Sequence, residues 1–223
     1  MLKRILFIAL FIGASVCAFA SSPRVDVDLN RIKIEVAQNP GEYQALMNRF
    51  LIGDTTLTLD QVAKIYYGYA FSYDYDPTDH NDAVTRAYDS RDYAETWRLC
   101  EDALRINPVS LDLTIKALVA ANNGNDEKAR KNISTLQNRY AMLTDLILAS
   151  GKGTSPESPF IVICEDDMGR IVSNVICVES TTGRATVRDI DAIKVKLPTS
   201  SRQHILYFDN TIQKNYEREK ARQ

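Results

Sequence analysis

The chain has 223 residues, 45% of them hydrophobic, 27 basic against 29 acidic side chains and a formal net charge of −2. That balance argues against a nucleic-acid surface, which needs a concentrated basic patch. Of the four cysteines, three lie beyond the first twenty residues, an odd number that allows one disulfide at most and no disulfide framework.

The first twenty residues read MLKRILFIALFIGASVCAFA. Lys3 and Arg4 form a basic start, Ile5 to Phe19 an apolar run, and Ala18-Phe19-Ala20 an A-x-A cleavage site. The pattern predicts a secretory signal peptide over residues 1–20, cut after Ala20. The run is short for a membrane span of about 20 residues. Val16 is a poor neighbour for lipidation at Cys17. Cleavage would remove two basic residues and leave a net charge of −4. No later run reaches membrane-spanning length, so the mature chain is expected to be exported, periplasmic or at the cell surface, without a transmembrane segment. Cys100, Cys164 and Cys177 then remain; they read as buried free thiols, with a Cys164–Cys177 bridge left open.

Residues 21–151 read as helices. Asn39-Pro40 divides a helix over about 28–38 from one over about 41–52, with Gly53 as a C-terminal stop. Thr58 and Gln61 form a capping box, with Leu57 and Val62 placed as its staple, so a helix runs from near Leu59 to about Phe71. One arc of it carries Leu59, Val62, Ile65, Tyr66, Tyr69 and Ala70. Tyr67 and Phe71 lie on the other side, four residues apart.

The following stretch is rich in aromatics and acids. Tyr67, Phe71, Tyr73, Asp74, Tyr75, Asp76, Asp79 and His80 are the candidate ligand-binding residues, because flat rings beside carboxylates suit wet recognition of a glycan or peptide. The competing expectation is a packing seam, with Tyr73 and Tyr75 covering Tyr67 and Phe71. A calcium loop is not expected. Counting from Asp74, position 6 is Asp79 where glycine is needed and position 12 is Thr85 where glutamate is needed.

Tyr93, Trp97, Cys100 and Leu104 form a stripe that ends at Asn107-Pro108. Ser110 caps a helix carrying Leu111, Ile115, Leu118 and Val119, closed by Asn122-Asn123-Gly124. A third stripe runs Ala129, Ile133, Leu136, Tyr140, Leu143 and Ile147 to Ser150-Gly151. Arg91-Asp92-Tyr93, Ala103-Leu104, Asn107-Pro108, Gly124-Asn125 and Ala129 resemble tetratricopeptide repeats, and Asn125 falls 33 positions after Asp92. Arg91 departs from that family's glycine. The resemblance implies stacked helix pairs with a concave face.

Residues 152–223 change character. Gly151 to Pro159 reads as a linker or tight loop. Phe160–Cys164 and Ile171–Val178 are read as a hairpin, and Ala192–Leu197 and His204–Phe208 as two more strands. Ile193 and Val195 alternate with Lys194 and Lys196, predicting one wet face. A polar helix from Asn210 to about Lys220 ends the chain. The fold class is therefore α+β: a tetratricopeptide-like helical array, then a small antiparallel sheet with a C-terminal helix.

Phe50-Leu51-Ile52-Gly53-Asp54-Thr55-Thr56-Leu57-Thr58, Tyr66-Tyr67-Gly68-Tyr69, Tyr73, Tyr75 and Pro77 fall in order. Ser158 to Ile163 and Leu206-Tyr207-Phe208-Asp209 follow. This pattern is similar to a family of exported Bacteroidetes proteins of about this length, known as a domain of unknown function. The resemblance implies export and a helical part followed by a β-rich part, and it implies no activity.

Catalytic chemistry has little support. Only His80 and His204 are available, and there is no G-x-S-x-G. Glu165-Asp166-Asp167 reads as a wet turn, which would not separate two pKa values. Gly151-Lys152-Gly153-Thr154 lacks P-loop spacing, so no cofactor is expected. The leading expectation is a non-enzymatic binding or scaffold module for a protein or peptide partner, such as another envelope protein. A glycan or small ligand at residues 66–80 is second, and a hydrolase third.

Overall fold

The computed structural model describes residues 24–222. The predicted signal peptide and Cys17 lie outside that range. Ten helices and four strands are found among the described residues. Helix α1 spans Leu29–Gln38, started by the Asp28 carboxylate accepting from Arg31 N, and α2 spans Pro40–Leu51 with proline in its first turn. Helix α3, Leu59–Tyr69, begins at the expected box: Gln61 N donates to Thr58 Oγ1 and Thr58 N to Gln61 Oε1. It is buried on more than one side, because α1, α2 and α8 all contact it. At Gly68 a Cβ would come within 2.9 Å of Val36, so the absence of a side chain sets how closely α1 crosses.

Helix α4, Asp82–Asp89, has only two apolar anchors, Val84 and Ala87, and sequence periodicity did not reveal it. It turns into α5, Tyr93–Ile106, through Arg91 at φ +59°. That left-handed conformation is why glycine suits the position. Helix α6, Leu111–Asn123, is capped by Ser110 as expected. The third stripe is two helices rather than one: α7, Glu127–Lys131, and α8, Ile133–Ser150, meet at Asn132, whose amide donates back to Lys128 O. Side-chain competition for backbone partners favours such a break. Val84, Trp97, Cys100, Leu104, Leu113 and Leu136 form a core among α4, α5, α6 and α8.

The C-terminal part corrects two expectations. Phe160–Cys164 and Ile171–Val178 do not form a hairpin. Strand β1 is only Phe160–Ile161; α9, Glu165–Arg170, then runs into a π-helical turn over Ile171–Val175. Met168, Ile171, Val172 and Ile176 are all buried, a helical spacing hidden inside an apolar run. The true hairpin pairs β2, Ser180–Val187, with β3, Ile190–Lys196, through Arg188 and Asp189, both at positive φ. Strand β4 is Gln203–Asp209 and α10 is Thr211–Lys220. The sheet order is β1-β4-β3-β2. The β2–β3 and β3–β4 pairs are antiparallel as expected, whereas β1 lies parallel to β4, making the sheet mixed. Ile193 and Val195 face inward and Lys194 outward. The fold class, helices followed by a small sheet and a terminal helix, is as expected.

Residues 151–159 are a tight loop. Lys152 N and Gly153 N both donate to Ser158 O, and a Cβ on Gly153, at φ +65°, would overlap the Phe160 ring. Phe50, Tyr66, Tyr67, Leu143 and Ile147 share one hydrophobic cluster with Phe160, Val195 and Phe208, so helices and sheet are packed on a common core. Cys100, Cys164 and Cys177 are free thiols, and burial pushes Cys100 up to about 12.

Candidate functional site

The eight candidate residues of the 66–80 region do not share one surface. Tyr67 is fully buried, and its hydroxyl donates to Ile161 O at 3.1 Å. Tyr75 is buried and donates to Ile163 O at 2.5 Å. Neither ring is available to a ligand. Phe71 is partly exposed beneath the Lys33 ammonium, and Tyr73 is fully exposed. Asp76 accepts from Thr78 N and Oγ1, and Asp79 from Asn81 N, so both carboxylates shape their own turn. His80 Nδ1 lies 3.2 Å from Asp166, which raises its pKa. No group of three metal-ligating side chains suited to an ion occurs among the described residues.

The stretch is a seam. Tyr66 adds a third staple: its hydroxyl donates to Asp167 Oδ2 at 2.7 Å and accepts from Ile163 N. Three tyrosines from α3 and its following loop therefore bind the 161–167 backbone and side chains. Each ring supplies buried apolar area and each hydroxyl satisfies a polar group that the seam would otherwise strand.

Asp167 departs from the expected wet turn. It is fully buried in the first turn of α9, and burial pushes its carboxyl up to about 7. Tyr66 OH and Leu111 N, at the start of α6, oppose that by donating to it. Adjacent Asp166 stays at the surface. Two neighbouring carboxylates thus do sit in unlike environments, which residue type alone could not reveal. Asp167 is sealed from solvent, so its position suits joining α3, α6 and α9 rather than meeting a substrate. Close by, Asp112 is held between Lys116 and Arg170, tying α9 to α6.

A different surface has the shape of a site. A cleft of about 600 Å³ opens between α2, α5 and α8. Helix α2 lends Tyr43, Gln44, Met47 and Leu51 to one wall, a helical spacing. Helix α5 lends Trp97, Glu101, Leu104 and Arg105, and α8 lends Thr135, Leu136 and Arg139, with Asn132 at the α7–α8 junction beside them. Tyr69, Ser72, Asp74, Ile106 and Pro108 also line it. Asp74 is thus one candidate residue that does reach the cleft. Leu51 and Ile106 are exposed at 37% and 61%, giving the rim apolar character.

Arg139 is the unusual member. It is only 6% exposed, and no carboxylate among the described residues pairs with it. Nη2 donates to Pro108 O at 2.5 Å, the guanidinium lies over the Phe50 ring at 5.2 Å, and Nε has no partner. Burial lowers its pKa to about 10, which leaves it charged at neutral pH. The Ser72 hydroxyl, on the same cleft, is likewise buried without a partner. Sequence reading missed Arg139. It lies within the Leu136–Tyr140 span of the third stripe, and no local signal distinguishes a buried arginine from a solvated one there.

The chain belongs to the family described as domain of unknown function DUF4919, which matches residues 30–220. No curated protein and no solved structure matches it.

Proposed function

We propose that this DUF4919 member is an exported, non-catalytic binding module that takes a peptide segment of a protein partner in the α2–α5–α8 cleft. The observation that carries this reading is the cleft itself. Its size falls within the range of ligand sites, its walls mix Met47, Leu104 and Trp97 with polar Gln44, Asn132 and Thr135, and its rim is apolar. Apolar walls receive side chains, while amide and hydroxyl groups can meet an extended backbone. The lysine- and arginine-led apolar run ending in Ala18-Phe19-Ala20 supports export. No helix among the described residues is long and apolar enough to cross a membrane.

Selection from a displayed peptide library tests the reading. Enriched peptides should lose binding to Leu51→Glu and Ile106→Glu variants, because a charge on the rim opposes apolar docking. Both positions are exposed, so both variants should stay folded. Peptides that bind these variants as well as the unaltered protein would sink the cleft as the contact.

A further inference from the structure

Arg139 poses an energetic question. A guanidinium taken out of water loses hydration that a carboxylate or several hydrogen bonds normally replaces. Here one carbonyl and one ring face replace part of it. The ring contact uses the flat face of the guanidinium, whereas hydrogen bonding uses its edge and five N–H donors. Most of that donor edge has no protein acceptor among the described residues.

The surrounding charges do not fill the gap. Glu101, on the same cleft, is engaged by Lys128 and Arg105, and Arg105 also meets Asp102. Asp74 makes no ion pair with Arg139 among the described residues. Ser72 Oγ supplies a second unpartnered polar atom on the same cleft. Met47, Leu104 and Trp97 line the same cleft as the arginine. The site thus offers a fixed positive charge and a hydroxyl without protein partners, within a cleft whose walls mix apolar and polar side chains.

We infer that Arg139 is the anion-binding floor of the cleft, and that the docked peptide carries a carboxylate beside an apolar side chain. This rests on the cleft reading above. Arginine's planar fork matches a carboxylate at two points, and a charge-assisted bond in a partly dry cleft is stronger than one in water. The carboxylate could come from an aspartate or glutamate side chain or from the chain end, since both present the same group.

Trp97 is the only tryptophan in the chain and lines this cleft, so its fluorescence reports on occupancy. The purified protein is titrated at fixed ionic strength with acetyl-Leu-Leu-Asp-Leu-amide, its Asn counterpart, acetyl-Leu-Leu-Leu with a free carboxyl end, sodium dodecanoate and sodium phosphate. A saturable change is expected with the aspartate peptide or the free-acid peptide, and which of the two binds identifies the source of the carboxylate. The Asn counterpart should bind at least about tenfold more weakly, the range expected for losing a charge-assisted bond. Arg139→Met should reduce binding to that same level, and Arg139→Lys should retain part of it. The Asp–Asn comparison needs no variant, so the inference stays testable if Arg139→Met does not fold. Equal binding of the Asp and Asn peptides would overturn the anion site while leaving the cleft reading intact. No response to any peptide would overturn both. Saturation by dodecanoate or phosphate without peptide binding would overturn the peptide assignment.

Discussion

Truncating Tyr67 should separate a packing role from a recognition role. Its ring is wholly buried, it meets Tyr66 edge-on at 5.0 Å, and its hydroxyl reaches Ile161 O. Tyr67→Phe removes only the hydrogen bond to the Ile161 carbonyl of β1, at about 1–2 kcal/mol. Tyr67→Ser also removes the ring and leaves a cavity, at about 3–5 kcal/mol. For a chain of this length each kcal/mol moves the thermal midpoint by about 2–4 °C. Tyr67→Phe should therefore lower the midpoint by a few degrees, and Tyr67→Ser by about 6–20 °C. Tyr73→Ser, at a fully exposed position, should change it by less than about 2 °C. Thermal unfolding followed by far-ultraviolet circular dichroism measures all three. A Tyr67→Ser shift no larger than that of Tyr73→Ser would refute the seam.

Two further predictions concern charge and backbone. Asp167 has a folded-state pKa of about 7, above the ordinary carboxylate value near 4, so the folded state holds the extra proton between those values. Stability from this group is greatest below about pH 4, falls as pH rises towards 7 and is level above it, by at most about 4 kcal/mol at about 1.4 kcal/mol per tenfold change. Tyr66, Cys164 and Asp166 are the ionisable groups that act on it, and the exposed His80–Asp166 pair adds a small change of the same sign. The midpoint should be higher at pH 5 than at pH 8, and Asp167→Asn should lose most of that difference whatever its absolute stability; an unchanged difference would refute the assignment. Arg91→Gly should raise the midpoint by about 1–4 °C, because glycine relieves a left-handed arginine whose side chain makes no hydrogen bond or ion pair among the described residues. A lower midpoint would contradict that reading.

The helices were legible where caps and stripes agree. Thr58 with Gln61, Ser110, and Asn107-Pro108 each mark a boundary that the structure keeps. Helix α4 was hidden because it is short and only two of its eight residues, Val84 and Ala87, are buried. The β2–β3 hairpin was hidden twice. Every residue of β2 is exposed, so it shows no apolar alternation, and its turn uses Arg188-Asp189 where Asn-Gly would have announced it. The apolar run after Arg170 looked like a strand because a short buried helix and a buried strand share composition. The tyrosines could be singled out, but their burial depends on residues 161–167, about a hundred positions away. Arg139 was illegible for the same reason, since what isolates it is the convergence of α2, α5 and Pro108.

Hydrogen–deuterium exchange with and without a library-selected peptide tests the central claim most directly. The cleft account predicts slowed exchange in residues 43–51, 97–108 and 132–139, with β2 unchanged. Protection confined to residues 180–187, the open sheet edge, would contradict it and move the contact to the sheet.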